Sequence, residues 1–121
     1  METFAEVGSL GPQQIWEGVL GRGIHGERVT LSLIELDPHA VVPEHAHENE
    51  QLGILIQGEM RFEIGGESRE LGPGGTWRIL ANVPHSVEVG PDGAVVVEAF
   101  APARNEWHAI EQQEPRAGRW P

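Results

Sequence analysis

The 121-residue chain has no cysteine, no tyrosine and no lysine. Without cysteine there is no disulfide, no thiolate metal ligand and no cysteine nucleophile, and the redox compartment cannot be read from the sequence. Without lysine there is no Schiff-base chemistry and no lysine general base. All eight basic residues are arginines and face 19 acidic ones, which gives a formal net charge of −11. That field repels phosphate backbones and anionic headgroups, so neither nucleic acid nor a membrane surface is an expected partner. Long apolar runs are also missing, since none approaches the roughly 20 residues that span a bilayer. The first ten residues carry Glu2 and Glu6 where a secretory leader needs positive charge. A soluble, cytoplasmic protein is expected.

Hydrophobic residues make up 39% of the chain, enough for a packed interior, and 121 residues leave no room for a second core of ordinary size. Residues 1–121 are therefore read as a single domain. Sixteen glycines and nine prolines cut the chain into short segments, as in strands rather than helices. Val29, Leu31 and Leu33 alternate with Thr30 and Ser32, and Met60, Phe62 and Ile64 with Arg61 and Glu63, each pattern implying one buried face. Val83, His85, Val87 and Val89 repeat the alternation. Leu52, Ile54, Leu55 and Ile56 form a nearly continuous apolar run, which predicts a strand covered on both sides. Gly65-Gly66 predicts a two-residue hairpin and Pro91-Asp92-Gly93 a second turn. Such strands must close on themselves or pack as two sheets, so the fold class is all-β, a small barrel or jelly roll with its core over about 13–101. Ala103–Gln113 reads as a short helix, and Pro115–Pro121 as a tail that is frayed unless Trp120 docks on a partner subunit.

The chemistry concentrates in Pro43–Gln51 and at Pro84-His85. Residues two apart on a strand share a face, so His45 and His47 can present two imidazoles to one point. Gln51 has the same parity, and His85 alternates with apolar Val83 and Val87, so both should point inward. Taken singly, His85 reads as a hydrogen-bonded core histidine and a surface His-x-His as solvated decoration. Together they read as a metal site. His25 and His39 are expected to be solvated loop residues, His108 a helix-surface residue, and Glu44 and Glu48 a solvated acidic loop.

His45-x-His47-x-x-x-Gln51, followed by Gly58, resembles the first signature of the cupin superfamily, in which glutamate usually stands at the place of Gln51. Gly72-Pro73-Gly74-Gly75 running on to Asn82-Val83-Pro84-His85 is similar to the second, although Gly75, Leu80 and Ala81 replace residues the family often has there. The resemblance covers about Val29 to Phe100. It implies a double-stranded β-helix and a divalent transition metal (Mn, Fe, Ni, Zn or Cu) held by His45, His47, Gln51 and His85. These are neutral ligands, so the ion would keep its full charge and favour polarising a substrate oxygen over iron–oxygen chemistry. Glu98 through Trp107 resembles the segment that closes the barrel in KdgF-like cupins, which linearise unsaturated uronates. By that resemblance Glu98 would be the acid/base, with Phe100 and Arg104 serving a carboxylate-bearing substrate; the family's acid is usually aspartate. Alternatively Phe100 is core and Arg104 pairs with Glu106 or Glu98. A Lewis-acid enzyme acting on a small sugar acid is thus set against an Fe, Ni or Mn dioxygenase and a non-catalytic small-molecule-binding module. An open sheet edge and four tryptophans predict a homodimer.

Overall fold

The computed structural model describes residues 2–121 and contains eight strands: β1 (Gln13–Trp16), β2 (Val19–His25), β3 (Thr30–Leu36), β4 (Val41–His45), β5 (Glu50–Ile64), β6 (Glu67–Leu71), β7 (Thr76–Ile79) and β8 (His85–Ala101). All pairings are antiparallel. The two long strands β5 and β8 pair with each other along most of their length and belong to both halves of a jelly-roll barrel. The first half of β5 pairs with β7, and the last residues of β8 pair with β3, which continues through β2 to β1. The second half of β5 pairs with β6, and the start of β8 with β4. A core of Ile34, Leu36, Val42, Leu55, Met60, Phe62, Ile79, Val87 and Val96, among others, fills the space between.

The crossover between the two halves explains both the glycines and the parity of β5. An extra residue at Ile56 shifts the register, so inward positions change from odd (Gln51, Leu55) to even (Met60, Phe62). At Gly58, φ is +91° and a Cβ would lie 2.0 Å from Gly93 O, so only glycine lets the strands approach this closely. Pro91-Asp92-Gly93 is not a turn. It lies inside β8, in a bulge of four residues opposite Glu59, because the segments on both sides of it pair with β5. Gly65-Gly66 is the expected hairpin, with φ of +56° and +85°.

Four further expectations are corrected. In β3 the buried residues at the start are Thr30 and Ser32, while Val29 and Leu31 are exposed, because Thr30 Oγ1 is tied to Arg104 N and to His25 Nδ1. The apolar run of β5 is covered on one side only, leaving Leu52 and Ile54 exposed. The predicted helix is a single 3-10 turn, Asn105–Ala109, because Gln13 Nε2 takes the carbonyls of Trp107 and Ile110, and Gln113 N bonds Pro12 O. The tail is not frayed: Arg119 binds Glu35 and the carbonyls of Leu36 and Ala94, and Arg22 reaches Arg116 O. Burial alone would raise the Glu35 pKa, but hydrogen bonds from Arg119 and Arg22 outweigh it and lower it.

Candidate metal centre and substrate pocket

One end of the barrel is polar. His45 ends β4, His47 follows in the β4–β5 loop, Gln51 is the second residue of β5, and His85 opens β8 beside His45 in register. The ring centroids of His45 and His85 are 4.3 Å apart, and those of His47 and His85 4.9 Å. The three imidazoles offer ligand atoms within 4.8 Å of one another.

Each ring is held by a local backbone carbonyl. His45 Nδ1–H donates to Pro43 O at 2.8 Å, His47 Nδ1–H to Asn49 O at 2.9 Å, and His85 Nδ1–H to Val83 O at 2.9 Å. A carbonyl can only accept, so in the neutral rings Nε2 carries the lone pair. His85 Nε2 is buried and has no hydrogen-bond partner among the described residues. His47 Nε2 faces Gln51 Oε1 at 3.1 Å, two lone-pair atoms with no proton between them. Two donors about 2.0–2.2 Å from one ion stand about 3.0–3.5 Å apart, so this contact is unfavourable without a cation and ordinary with one. Burial, with only a partial counter-effect from the Val83 bond, lowers His85 to a pKa of about 4. Burial first, then the Arg104 charge, also lowers His47. The group fits a divalent metal, because ligand imidazoles must be unprotonated.

The remaining predicted residues adjoin this cluster. Glu98 is buried on β8, and its Oε2 accepts the Gln51 amide and, at 2.8 Å, the Trp77 indole N–H. Burial raises its pKa against both bonds. Phe100, two residues on, lies 6.3 Å from the His47 ring. The Arg104 guanidinium stacks 4.9 Å above Phe100 and 4.5 Å from Trp107, with Nε donating to Glu106. Thus Phe100 is buried, as one reading expected, and Arg104 does pair with Glu106, yet both also line the cavity together with Glu98 and the three histidines.

Trp77 and Trp107 are residues of this pocket that sequence reasoning missed. Trp77 lies in the four-residue β7 with no motif around it, although a strand indole facing a core position needs a polar partner. His25 is not a solvated loop residue. It ends β2, is half-buried, and lies 4.7 Å from His108, outside the metal cluster.

No curated protein matches the sequence. Among solved structures, an RmlC-like cupin from Shewanella frigidimarina superposes with a TM-score of 0.82 at 22% identity, over 88% of this chain and 96% of that one. KdgF from Halomonas sp. gives 0.80 at 24% identity, over 88% and 98%. An oxalate decarboxylase from B. subtilis gives 0.73 at 20%, over 93% of this chain and 33% of that one. At these identities the likeness is one of fold. A family model for the cupin domain matches residues 32–100, more than half of the chain, and with the jelly roll and its histidine cluster this shows that the chain belongs to the cupin family.

Proposed function

We propose that this cupin is a metal-dependent enzyme that acts on a small carboxylate-bearing substrate of the sugar-acid class, in the manner of KdgF-like cupins, and that residues 1–121 form one such unit. The observation that carries the reading is the convergence on one cavity of a metal-type ligand set, a buried carboxylate and a stacked guanidinium. His45, His47, Gln51 and His85 would hold the metal, which when bound supplies Lewis acidity toward a substrate oxygen. Glu98 uses Oε2 for its two hydrogen bonds, and Oε1 takes none from the described residues. Oε1 is therefore the atom that takes and returns a proton, and burial, which raises the Glu98 pKa, makes it a stronger base than an exposed carboxylate. Arg104 commits Nε to Glu106, and its Nη groups remain for a substrate carboxylate. Stacking on Phe100 and Trp107 fixes the plane of that fork, and the two rings exclude water.

A homodimer is part of the proposal. The outer face of the sheet carries exposed Ile24, Leu31 and Leu52 in one register across β2, β3 and β5, joined through half-buried Ala99 of β8, with exposed Ile54 beside them. Among the described residues no helix is long and apolar enough to cross a membrane.

The test combines elemental analysis of the purified protein with turnover of unsaturated uronates, with and without chelator and with and without oxygen. Turnover should require the metal and not oxygen. Glu98→Gln should keep metal and fold while losing roughly 10²- to 10⁴-fold in rate, the usual contribution of general acid/base catalysis. Conversion that depends on oxygen would favour the dioxygenase reading instead, and metal binding with no turnover the non-catalytic one.

A further inference from the structure

We propose that Glu98, anchored by the Trp77 indole, locks the orientation of the Gln51 amide and so acts as a positioning residue for the metal site, in addition to any role in proton transfer. The inference rests on the reading that the three-histidine cluster holds a metal.

A glutamine amide presents an oxygen on one side and an NH2 on the other, and a half-turn about its last torsion exchanges them. Only the oxygen can ligate a cation. In the structure Gln51 directs Oε1 toward His47 and donates Nε2–H to Glu98 Oε2. Turning the amide over would place Oε1 against a carboxylate oxygen and the NH2 against the cluster, losing the ligand and a buried hydrogen bond together. The acceptor role of Oε2 does not depend on the charge of Glu98, because a proton carried on Oε1 leaves Oε2 free to accept.

The lock is built from one row of the sheet. Gly53 on β5 pairs with Trp77 on β7 and with Glu98 on β8. A Cβ at Gly53 would lie 2.2 Å from Trp77 Cε2, so the indole crosses the strand where a side chain is missing. Its N–H thereby reaches Glu98 Oε2 at 2.8 Å and holds that oxygen in place for Gln51. The same arrangement accounts for glutamine, rather than glutamate, at position 51: a carboxylate there would have no hydrogen to offer Glu98.

The test is a Co²⁺ titration of the 121-residue chain against a competing chelator, with the visible spectrum of bound Co²⁺ recorded for each variant. Glu98→Gln retains a carbonyl acceptor for both donors, so affinity should stay within about threefold and the spectrum should be unchanged. Glu98→Ala removes the acceptor and should cost about 10- to 100-fold in affinity, as loss of a ligand-orienting partner usually does, and should alter the spectrum. If Glu98→Ala does not fold, Trp77→Phe carries the test, because it keeps the ring against Phe62 and removes the N–H; its affinity should fall and its spectrum shift in the same sense. Wild-type affinity and spectrum in folded Glu98→Ala or Trp77→Phe would overturn the proposal. So would equal losses in Glu98→Gln and Glu98→Ala, since charge rather than orientation would then be the cause. A wild-type protein that binds no Co²⁺ would instead remove the metal reading itself, and this inference with it.

Discussion

His85 makes the metal-free protein acid-sensitive in a way that can be worked through. Its side chain is 2% exposed, its Nδ1–H is committed to Val83 O, and its Nε2 has no partner among the described residues. Burial lowers its pKa from 6.5 to about 4. The folded pKa is the lower one, so between these values the unfolded chain binds the proton first and acid favours unfolding. Above 6.5 neither state is protonated and His85 contributes no slope. By pH 4 the lost stability reaches about 3 kcal/mol, from roughly 1.4 kcal/mol per pH unit. That is a large part of the roughly 5–15 kcal/mol expected for a domain. His47, also lowered, acts in the same direction, whereas Glu98, raised by burial, takes up its proton in the folded state first and opposes both. A comparison with His85→Gln separates these effects, because an amide is polar but does not titrate. Urea unfolding of the metal-free proteins between about pH 7 and pH 4.5 should show wild type losing about 1–3 kcal/mol more than the variant. Saturating metal should raise wild-type stability at neutral pH, by about 2.7 kcal/mol at a hundredfold excess over Kd, and that gain should shrink as protons compete for the imidazoles. Parallel profiles for metal-free wild type and His85→Gln would refute the reasoning, because no neutral imidazole would then be enforced by burial.

Arg104→Lys should raise KM for a carboxylate substrate with little change in kcat, since a point charge replaces a planar fork; steady-state kinetics would show it. Gly53→Ala drives a methyl into Trp77, so thermal or urea unfolding should show a loss of about 1–3 kcal/mol, the usual cost of overpacking a core. If the proposed homodimer forms through the exposed apolar patch, wild type should sediment at twice 13.2 kDa, and Leu52→Glu, which places a charge in that patch, should sediment at 13.2 kDa.

The strand pattern and the metal-type residues could be read from the sequence because both depend on short spacings. Alternation places His85 inward with Val87, whereas β4 ends at His45 and His47 lies in the following loop, so the two imidazoles meet through the loop, where Asn49 O holds the His47 ring, and not through strand parity. Gly65-Gly66 announces its hairpin because two positive φ angles are a local demand. What failed locally was the side of the sheet. Val29 and Leu31 look like core and Thr30 and Ser32 like surface, yet the order is reversed, because Arg104, distant in sequence, and His25, across the β2–β3 pairing, satisfy the Thr30 hydroxyl. Pro91-Asp92-Gly93 has turn composition, but pairing with β5 on both sides keeps it within one strand. Tertiary structure also decided what surrounds the ligands. That Trp77 meets Glu98 across Gly53, and that Glu98 in turn faces Gln51, follows from the register of three strands. Register is fixed by the packing of the whole barrel, and no local spacing encodes it.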